Sequence, residues 1–434
     1  MLDVITIIFW GIVMLGIVVF IHEGGHFLAA RLMRVRVREF MFGLPGPSVG
    51  FTRKSTRYGV TAIPLGGYCL IAGDGGKESP HLADAYAYLA YWGTLTLAEA
   101  EKSSETLGFD LVEALDSLES WMTIKAIKLK AGDKRYEMLA ASVDGLDYAQ
   151  GTPRPVPDMQ IARDHIAEER KHTYNGLPWW RRLVILLGGS FFNLVFAIAV
   201  ITVVLMVVGV GEGTTTISVV SENSPAQQAG IVSGDVLLSV DGKPCETGDD
   251  FLAAIGSKKV GDTIELGYTH NGVARSVTIT LAANDEGRPF VGVGMQIVRR
   301  DVYLPEALSL SVGLIGMVVK AITQLLNPAT FSETVGQSSS VVGIAVEARK
   351  AATMGGLPFL LLSAQLCISI GLMNLLPVPP LDGGKIIVET IQRITRRIIP
   401  QRVITGISVT ALLLLVFLFI AVTTQDIQRY FLGG

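Results

Sequence analysis

Four stretches of this chain are long and apolar enough to cross a bilayer, and they set the solvent in which most of it folds. A span needs about 20 apolar residues. Residues 4–30, 183–210 and 404–422 supply them, and 357–376 qualifies despite Ser363, Gln365 and Ser369. Lipid offers no hydrogen bonds, so each run must pair its own backbone groups, which makes it a helix. Only 17% of the 434 residues are charged, against roughly 25% in an ordinary soluble domain. The net charge of −3 gives no basic field, so nucleic acid is not expected as a partner. Cys69, Cys245 and Cys367 form no CxxC pair, and neither a disulfide framework nor a thiolate metal site is expected.

The basic residues orient the spans. No Lys or Arg precedes the first run, while Arg31, Arg34, Arg36 and Arg38 follow it. That is the reverse of a signal peptide's charge order, so the run is expected to be retained. The positive-inside rule puts those arginines in the cytoplasm, with Arg181, Arg182, Lys385, Arg393, Arg396, Arg397 and Arg402. Four transmembrane helices with both termini extracytoplasmic follow, covering 1–36, 181–210, 357–384 and 402–424. Residues 304–326 are also apolar, but Glu306, Lys320 and Gln324 interrupt them. This stretch is read as lying in the outer interface, within interfacial helices over 301–352.

Two further regions lie between the spans. Residues 213–296 alternate short apolar and polar runs between turn signals such as Asp241-Gly242 and Asn271-Gly272. They predict a small β-rich domain with a helix near 247–255, extracytoplasmic by topology. Residues 78–175 form a cytoplasmic insert in which no functional motif is found. Helices are expected over 83–100 and 107–121, then a hairpin of 123–130 and 135–143. Pro153, Pro155 and Pro157 mark a linker.

Chemistry enters in the first span, as His22-Glu23-Gly24-Gly25-His26. Residues four apart share a helix face, their Cβ atoms about 5–6 Å apart. Two imidazoles so spaced can ligate one zinc ion, and Glu23 can reach a water there as general base. Ionisable side chains in a membrane helix are costly and functional by default. Two glycines cost that helix about 1 kcal/mol each relative to alanine, which makes sense if another backbone or a substrate approaches closely.

Catalytic zinc commonly takes three protein ligands, so a third is sought at the same depth. His81, His165 and His172 fall in the insert and His270 in the β-rich domain. Asp382 is the best candidate. It follows Asn374-Leu375-Leu376-Pro377-Val378-Pro379-Pro380-Leu381 at the cytoplasmic end of the third span. The prolines break the helix there, which is tolerated at membrane depth only in buried or cavity-lining backbone. At 1.5 Å per residue, His26 and His22 lie about 6 and 12 Å inward from Ala30. Were 304–326 a crossing, Asp382 would sit at the opposite side of the bilayer from both.

HEGGH in the first span together with NLLPVPPLDGG before the last resembles the site-2 protease family of intramembrane zinc metalloproteases, in particular the bacterial regulators of sigma-E protease. The run from Ser224-Pro225 to Val240-Asp241-Gly242 resembles a bacterial PDZ domain, a module that binds extended peptides at a sheet edge. The resemblance implies a zinc metalloendopeptidase of the bacterial inner membrane that cuts within the spans of single-pass membrane proteins. Those substrates would be anti-sigma factors already shortened outside the membrane, or remnant signal peptides. It implies zinc on His22, His26 and Asp382, with Glu23 as general base. Asn374 and Asn193 (in Gly188-Gly189-Ser190-Phe191-Phe192-Asn193) would contact substrate. Residues 37–77 would form a membrane-reentrant β-hairpin whose edge, near Gly59–Gly67 and with Gly59, Val60 and Thr61 as the contact residues, pairs with an unwound substrate helix. A peptide or new C-terminus at the PDZ-like domain and membrane lipid complete the expected partners. Gly-Gly-Ser at 188–190 departs from the Ala-Gly-Pro common in similar proteins, and the insert has no counterpart in the resemblance. A scaffold that retains the fold without proteolysis and a metal transporter are the competing classes. The intact His22, Glu23, His26 and Asp382 disfavour the first. Clustering of the polar residues toward one end of the spans disfavours the second.

Overall fold

The computed structural model describes residues 2–63, 66–74, 78–129, 133–138, 159–284, 287–336, 339–397 and 399–431. It divides into two compact units, one of Met1–Val200 with Ser311–Gly434 and one of Ile201–Leu310.

The first unit opens with α1 (Leu2–Leu32), apolar all round apart from the His-Glu-His group and the charges at its ends, Asp3 and Arg31. Four strands follow: β1 (Val37–Phe42), β2 (Ser48–Arg53), β3 (Thr56–Thr61) and β4 (Gly67–Ile71). The stretch expected as a hairpin is a four-stranded sheet in the order β2-β3-β1-β4. Only β2 and β3 form a hairpin; β3 then runs parallel to β1, and β4 antiparallel to it. This corrects the expected role of Gly59, Val60 and Thr61. They lie on β3, where Gly59 is paired with Gly50 on one side and Met41 on the other. With both ladders filled, β3 has no edge to offer. The open edges belong to β2 and β4.

The insert contains α2 (Leu82–Trp92), β5 (Thr94–Thr96), α3 (Leu97–Leu107), α4 (Leu111–Ser120), β6 (Ile124–Lys128), β7 (Lys134–Met138) and α5 (Met159–Arg170). Helix 83–100 is thus interrupted. The chain turns at Gly93, β-branched Thr94 and Thr96 pair with β7, and Thr96 starts α3 through a capping box with Glu99. Thr-x-x-Glu is a helix-start signal that sequence reading could have used. The hairpin forms as expected between β6 and β7. The linker at Pro153, Pro155 and Pro157 lies outside the described residues. Trp121, Tyr136, Leu89, Leu111, Leu115 and Leu118 build a separate core here. The insert therefore folds around its own apolar centre.

Helix α6 (Trp179–Val208) leads to the second unit. Its elements are β8 (Val210–Val220), α7 (Pro225–Gln228), β9 (Val236–Val240), β10 (Lys243–Pro244), α8 (Gly248–Gly256), β11 (Thr263–His270), β12 (Val273–Thr280), β13 (Ala282–Ala283), β14 (Pro289–Phe290) and β15 (Val293–Arg300). The main sheet runs β12-β11-β9-β8-β15 over a core that includes Ile217, Leu237, Phe251, Ile264 and Leu266. Thr247 caps α8, matching the helix expected near 247–255.

The chain closes with α9 (Leu304–Leu326), α10 (Phe331–Gly336), α11 (Val341–Met354), α12 (Gly356–Asn374), α13 (Asp382–Thr395) and α14 (Gln401–Phe431). Among the described residues, five helices are long and apolar enough to span a membrane: α1, α6, α9, α12 and α14. That is one more than the four counted from sequence, the extra one being the stretch read as interfacial.

Candidate metal centre

The i, i+4 spacing in α1 does what it predicts: the His22 and His26 rings lie edge to face with centroids 4.8 Å apart. Asp382 joins them from the far end of the sequence, as the first residue of α13. Its position depends on the two glycines after it. A Cβ on Gly383 would fall 2.3 Å from the Leu375 carbonyl oxygen, and one on Gly384 2.2 Å from the Pro379 nitrogen. Asp-Gly-Gly lets the helix start tuck beneath its own proline loop, which turns the carboxylate back toward α1.

The three ligand-type atoms form a nearly equilateral triangle. Asp382 Oδ2 is 3.3 Å from His22 Nε2 and 3.2 Å from His26 Nε2, and the two nitrogens are 3.3 Å apart. A tetrahedral zinc ion with bonds of about 2.0–2.1 Å separates its ligand atoms by about 3.3–3.4 Å. His26 Nδ1 lies 2.8 Å from the Ile185 carbonyl oxygen, so it carries the proton and leaves Nε2 a lone pair. Asp382 Oδ2 is buried without a hydrogen-bond donor. Lone pairs this close repel one another unless a cation stands between them, so the residues fit zinc.

Helix α6 supports the triangle along one face, at Ile185, Gly189 and Asn193, each four residues from the next. Gly25 and Gly188 bring the two helices into backbone contact; a Cβ on Gly25 would lie 2.3 Å from the Gly188 carbonyl oxygen. Gly189 faces the imidazoles themselves, with 2.4 Å between its hypothetical Cβ and His26 Nε2. Gly24, by contrast, meets nothing within 4 Å. Close backbone approach thus explains one glycine of the HEGGH pair. Gly189→Ala is expected to force the rings apart and weaken zinc binding by roughly tenfold or more, read by competition with a chelator. Unchanged affinity would mean that the rings are free to shift.

Asn193 is fully buried, its amide 3.4 Å from His22 Nδ1. The Asn193 Oδ1 has no partner. Turning the amide over, which leaves its shape unchanged, lets Oδ1 accept the Nδ1 proton and frees His22 Nε2 for a metal. The structure thus places the Asn193 amide at the site, beside the His22 ring. The spacing Ile185, Gly189, Asn193 was legible in the sequence, but nothing there said which helix it faced.

A cavity of about 260 Å³ opens on the triangle, lined by Glu23, Cys69, Tyr174, Asn374 and Lys385 among others. Asn374 thus reaches the site as expected, whereas Gly59, Val60 and Thr61 do not line it. The neighbouring strand is β4: Tyr68, Cys69 and Ile71 are in the lining, and a Cβ on Gly67 would come 3.5 Å from Glu23 Cγ. At the cavity's polar end Lys385 lies 3.9 Å from Asp74. Tyr174 donates a 2.6 Å hydrogen bond to Glu389, which also has Arg182 at 3.7 Å. Burial pushes the Glu389 carboxyl above its ordinary range, against the opposing pull of Tyr174 and Arg182. Burial, and then Glu389, raise the Tyr174 hydroxyl well above its own. This cluster fastens α13, and with it Asp382, to the start of α6. The other histidines have partners elsewhere: His81 with Asp84, His165 with Tyr86, His172 with the Arg34 carbonyl and His270 with Asp235.

Sequence comparison matches residues 10–418 to the model of peptidase family M50. The chain is 26% identical over 441 residues to zinc metalloprotease RasP of Geobacillus kaustophilus (strain HTA426), covering 97% of each. It is 24% identical over 442 residues to zinc metalloprotease RasP of Shouchella clausii (strain KSM-K16), covering 97% of this chain and 98% of that one. Among solved structures, the PDZ domain of the SdrC-like protein from Listeria monocytogenes is 28% identical with a TM-score of 0.18, covering 20% of this chain and 93% of that one.

Proposed function

Since this chain belongs to peptidase family M50, the site-2 protease family, and is a zinc metalloprotease of many membrane-spanning helices, we propose that it hydrolyses peptide bonds inside the transmembrane segments of single-pass proteins. The observation that carries this is the Nε2, Nε2 and Oδ2 triangle of His22, His26 and Asp382, with sides of 3.2–3.3 Å, assembled inside an apolar helix.

His22, His26 and Asp382 would hold the ion. When bound, zinc supplies the Lewis acidity that activates a water at neutral pH and polarises the scissile carbonyl. Glu23, in the same cavity, takes a proton from the attacking water and returns it to the leaving amine. Ile185 and Asn193 fix the ring orientations through the Nδ1 atoms. Asn374, at the end of α12, is placed to bond the substrate backbone. Lys385 and Asp74 give the cavity a polar end through which water enters from the cytoplasm.

A helical substrate hides its carbonyls in i→i−4 bonds and must unwind before attack. The open edge of β4, beside Glu23, offers replacement backbone hydrogen bonds by strand addition. This takes over the role first expected for Gly59, Val60 and Thr61. Leu70→Pro, opposite Glu39 of β1, breaks the ladder that holds β4 and distorts its open edge. It is expected to slow cleavage by about tenfold or more while leaving zinc content unchanged. An unaffected rate would exclude pairing at this strand.

Convergence of Asp382 with the histidines supports four crossings, because α12 must end on the same membrane face as α1. On that basis α9 lies in the interface, both termini are extracytoplasmic, and the chain resides in a bacterial inner membrane. The β-rich unit then lies outside, where a PDZ-like fold binds a new C-terminus or excludes bulky substrates, as anti-sigma factors and remnant signal peptides would require. The test is cleavage of one single-pass substrate in proteoliposomes, intact or lacking its outer domain. Fast cleavage of the shortened form alone is expected. Failure to cut any of several shortened spans while zinc is bound would contradict the proposal.

A further inference from the structure

One face of the four-stranded sheet packs on α1 through Phe40, whose ring lies 5.5 Å from Phe20 and 5.3 Å from Phe27. The β2–β3 hairpin overhangs that contact. Strand alternation puts Val49, Phe51 and Arg53 on the same face, opposite Val60, Tyr58 and Thr56. Beyond α1 this face is bare: Val49 is 85% exposed and Phe51 65%. The exposed apolar strip of Phe51, Val49 and Val60 thus continues the groove that Phe27, Phe51 and Tyr58 form beside α1.

At the Arg31 end it turns cationic. Arg31 lies over the Phe27 ring and donates to Thr56 Oγ1. With Arg53 and Lys54 it rims a cavity of about 510 Å³ floored by Phe27, Phe51 and Tyr58. The nearby carboxylates are engaged elsewhere, Glu39 with Arg57, Glu119 with Arg38 and Glu169 with Arg36. Among the described residues none pairs with Arg31, Arg53 or Lys54. From Phe20 to Arg31 is about 16 Å along α1, close to the roughly 15 Å of one hydrocarbon leaflet.

We propose that this groove binds one anionic phospholipid, its phosphate among Arg31, Arg53 and Lys54 and an acyl chain along Phe51, Val49 and Val60. Three cations without counter-ions favour a net negative headgroup over a zwitterionic one, and a wall one leaflet deep matches an acyl chain rather than a soluble ligand. The lipid would cover the overhanging hairpin and hold the sheet that carries β4.

Native mass spectrometry of the full chain in detergent tests this, by titration with dioleoyl phosphatidylglycerol, dioleoyl phosphatidylcholine or glycerol phosphate. One phosphatidylglycerol is expected to outlast the rest. Its affinity should fall at least about tenfold in the Arg53→Glu, Lys54→Glu double variant and stay unchanged in Lys102→Glu, with zinc content equal in all three. Equal retention in the double variant, or of phosphatidylcholine, would overturn the proposal. Glycerol phosphate bound as tightly would make it a soluble-phosphate site instead. A benzophenone side chain in place of Phe51 should label phospholipid in liposomes; labelling only a second copy of the chain, or only a peptide substrate, would also overturn it.

Discussion

Asp382→Ala is expected to abolish both zinc retention and proteolysis while leaving the protein folded. Asp382 is the one charged member of the triangle, and its removal leaves two imidazoles on a single helix to hold the ion. The loss in zinc affinity should exceed the roughly 100-fold that a lost supporting residue can cause. The fold should tolerate it, because the groups that face the Asp382 carboxylate are the two ligand imidazoles, not the groups that fasten α13. Burial of the carboxylate also carries a desolvation cost that alanine does not. The two effects separate in a melting experiment. Zinc stabilises any protein that binds it only when folded, so added zinc should raise the melting temperature of the wild type and not of the variant. A variant that still holds one zinc ion would move the third ligand elsewhere, to Glu23 or Asp74, the other carboxylates in the cavity lining.

Glu23→Gln should give the opposite split. The substitution keeps shape and hydrogen-bonding reach, and Glu23 is no part of the triangle, so zinc content should stay at the wild-type level. Proton transfer by a positioned group is worth about 10²–10⁴ in rate, and the variant should lose at least about 10³ of it. Because Glu23 both removes and delivers a proton, no single exogenous base should restore full activity. Loss of zinc alongside activity would instead mark Glu23 as a ligand or a structural support.

Much of this site is legible in the sequence. The i, i+4 histidines announce a shared helix face, and an ionisable trio in an apolar run announces function. Asp382 followed from depth, since a proline-broken helix end at the cytoplasmic face matched the histidines. The support along α6 was not readable in the same way. Ile185 acts through a backbone carbonyl and Gly189 through the absence of a side chain, and neither leaves a chemical signature. Asn193 was legible as an amide facing the site, but sequence does not show which ring lies beside it.

The sheet shows a different limit. Glycines and β-formers between 37 and 72 declare strands, but pairing order is a long-range property. Parallel pairing of β1 with β3 closes what local sequence presents as an edge and leaves β4 open instead. In the insert the miss was local: Thr96 and Glu99 carried a capping box that outweighed an apparently continuous helical run from 83 to 100.

The central claim is that a peptide bond is cut at this triangle, within the membrane. Mass spectrometry of the fragments from a shortened single-pass substrate in proteoliposomes tests it most directly, with wild type and Glu23→Gln each carrying one zinc ion. The account predicts a cut within the substrate's apolar span, toward its cytoplasmic half where His22 and His26 lie, made by the wild type alone. A cut confined to the soluble flanks, or the same fragments from Glu23→Gln, would contradict it.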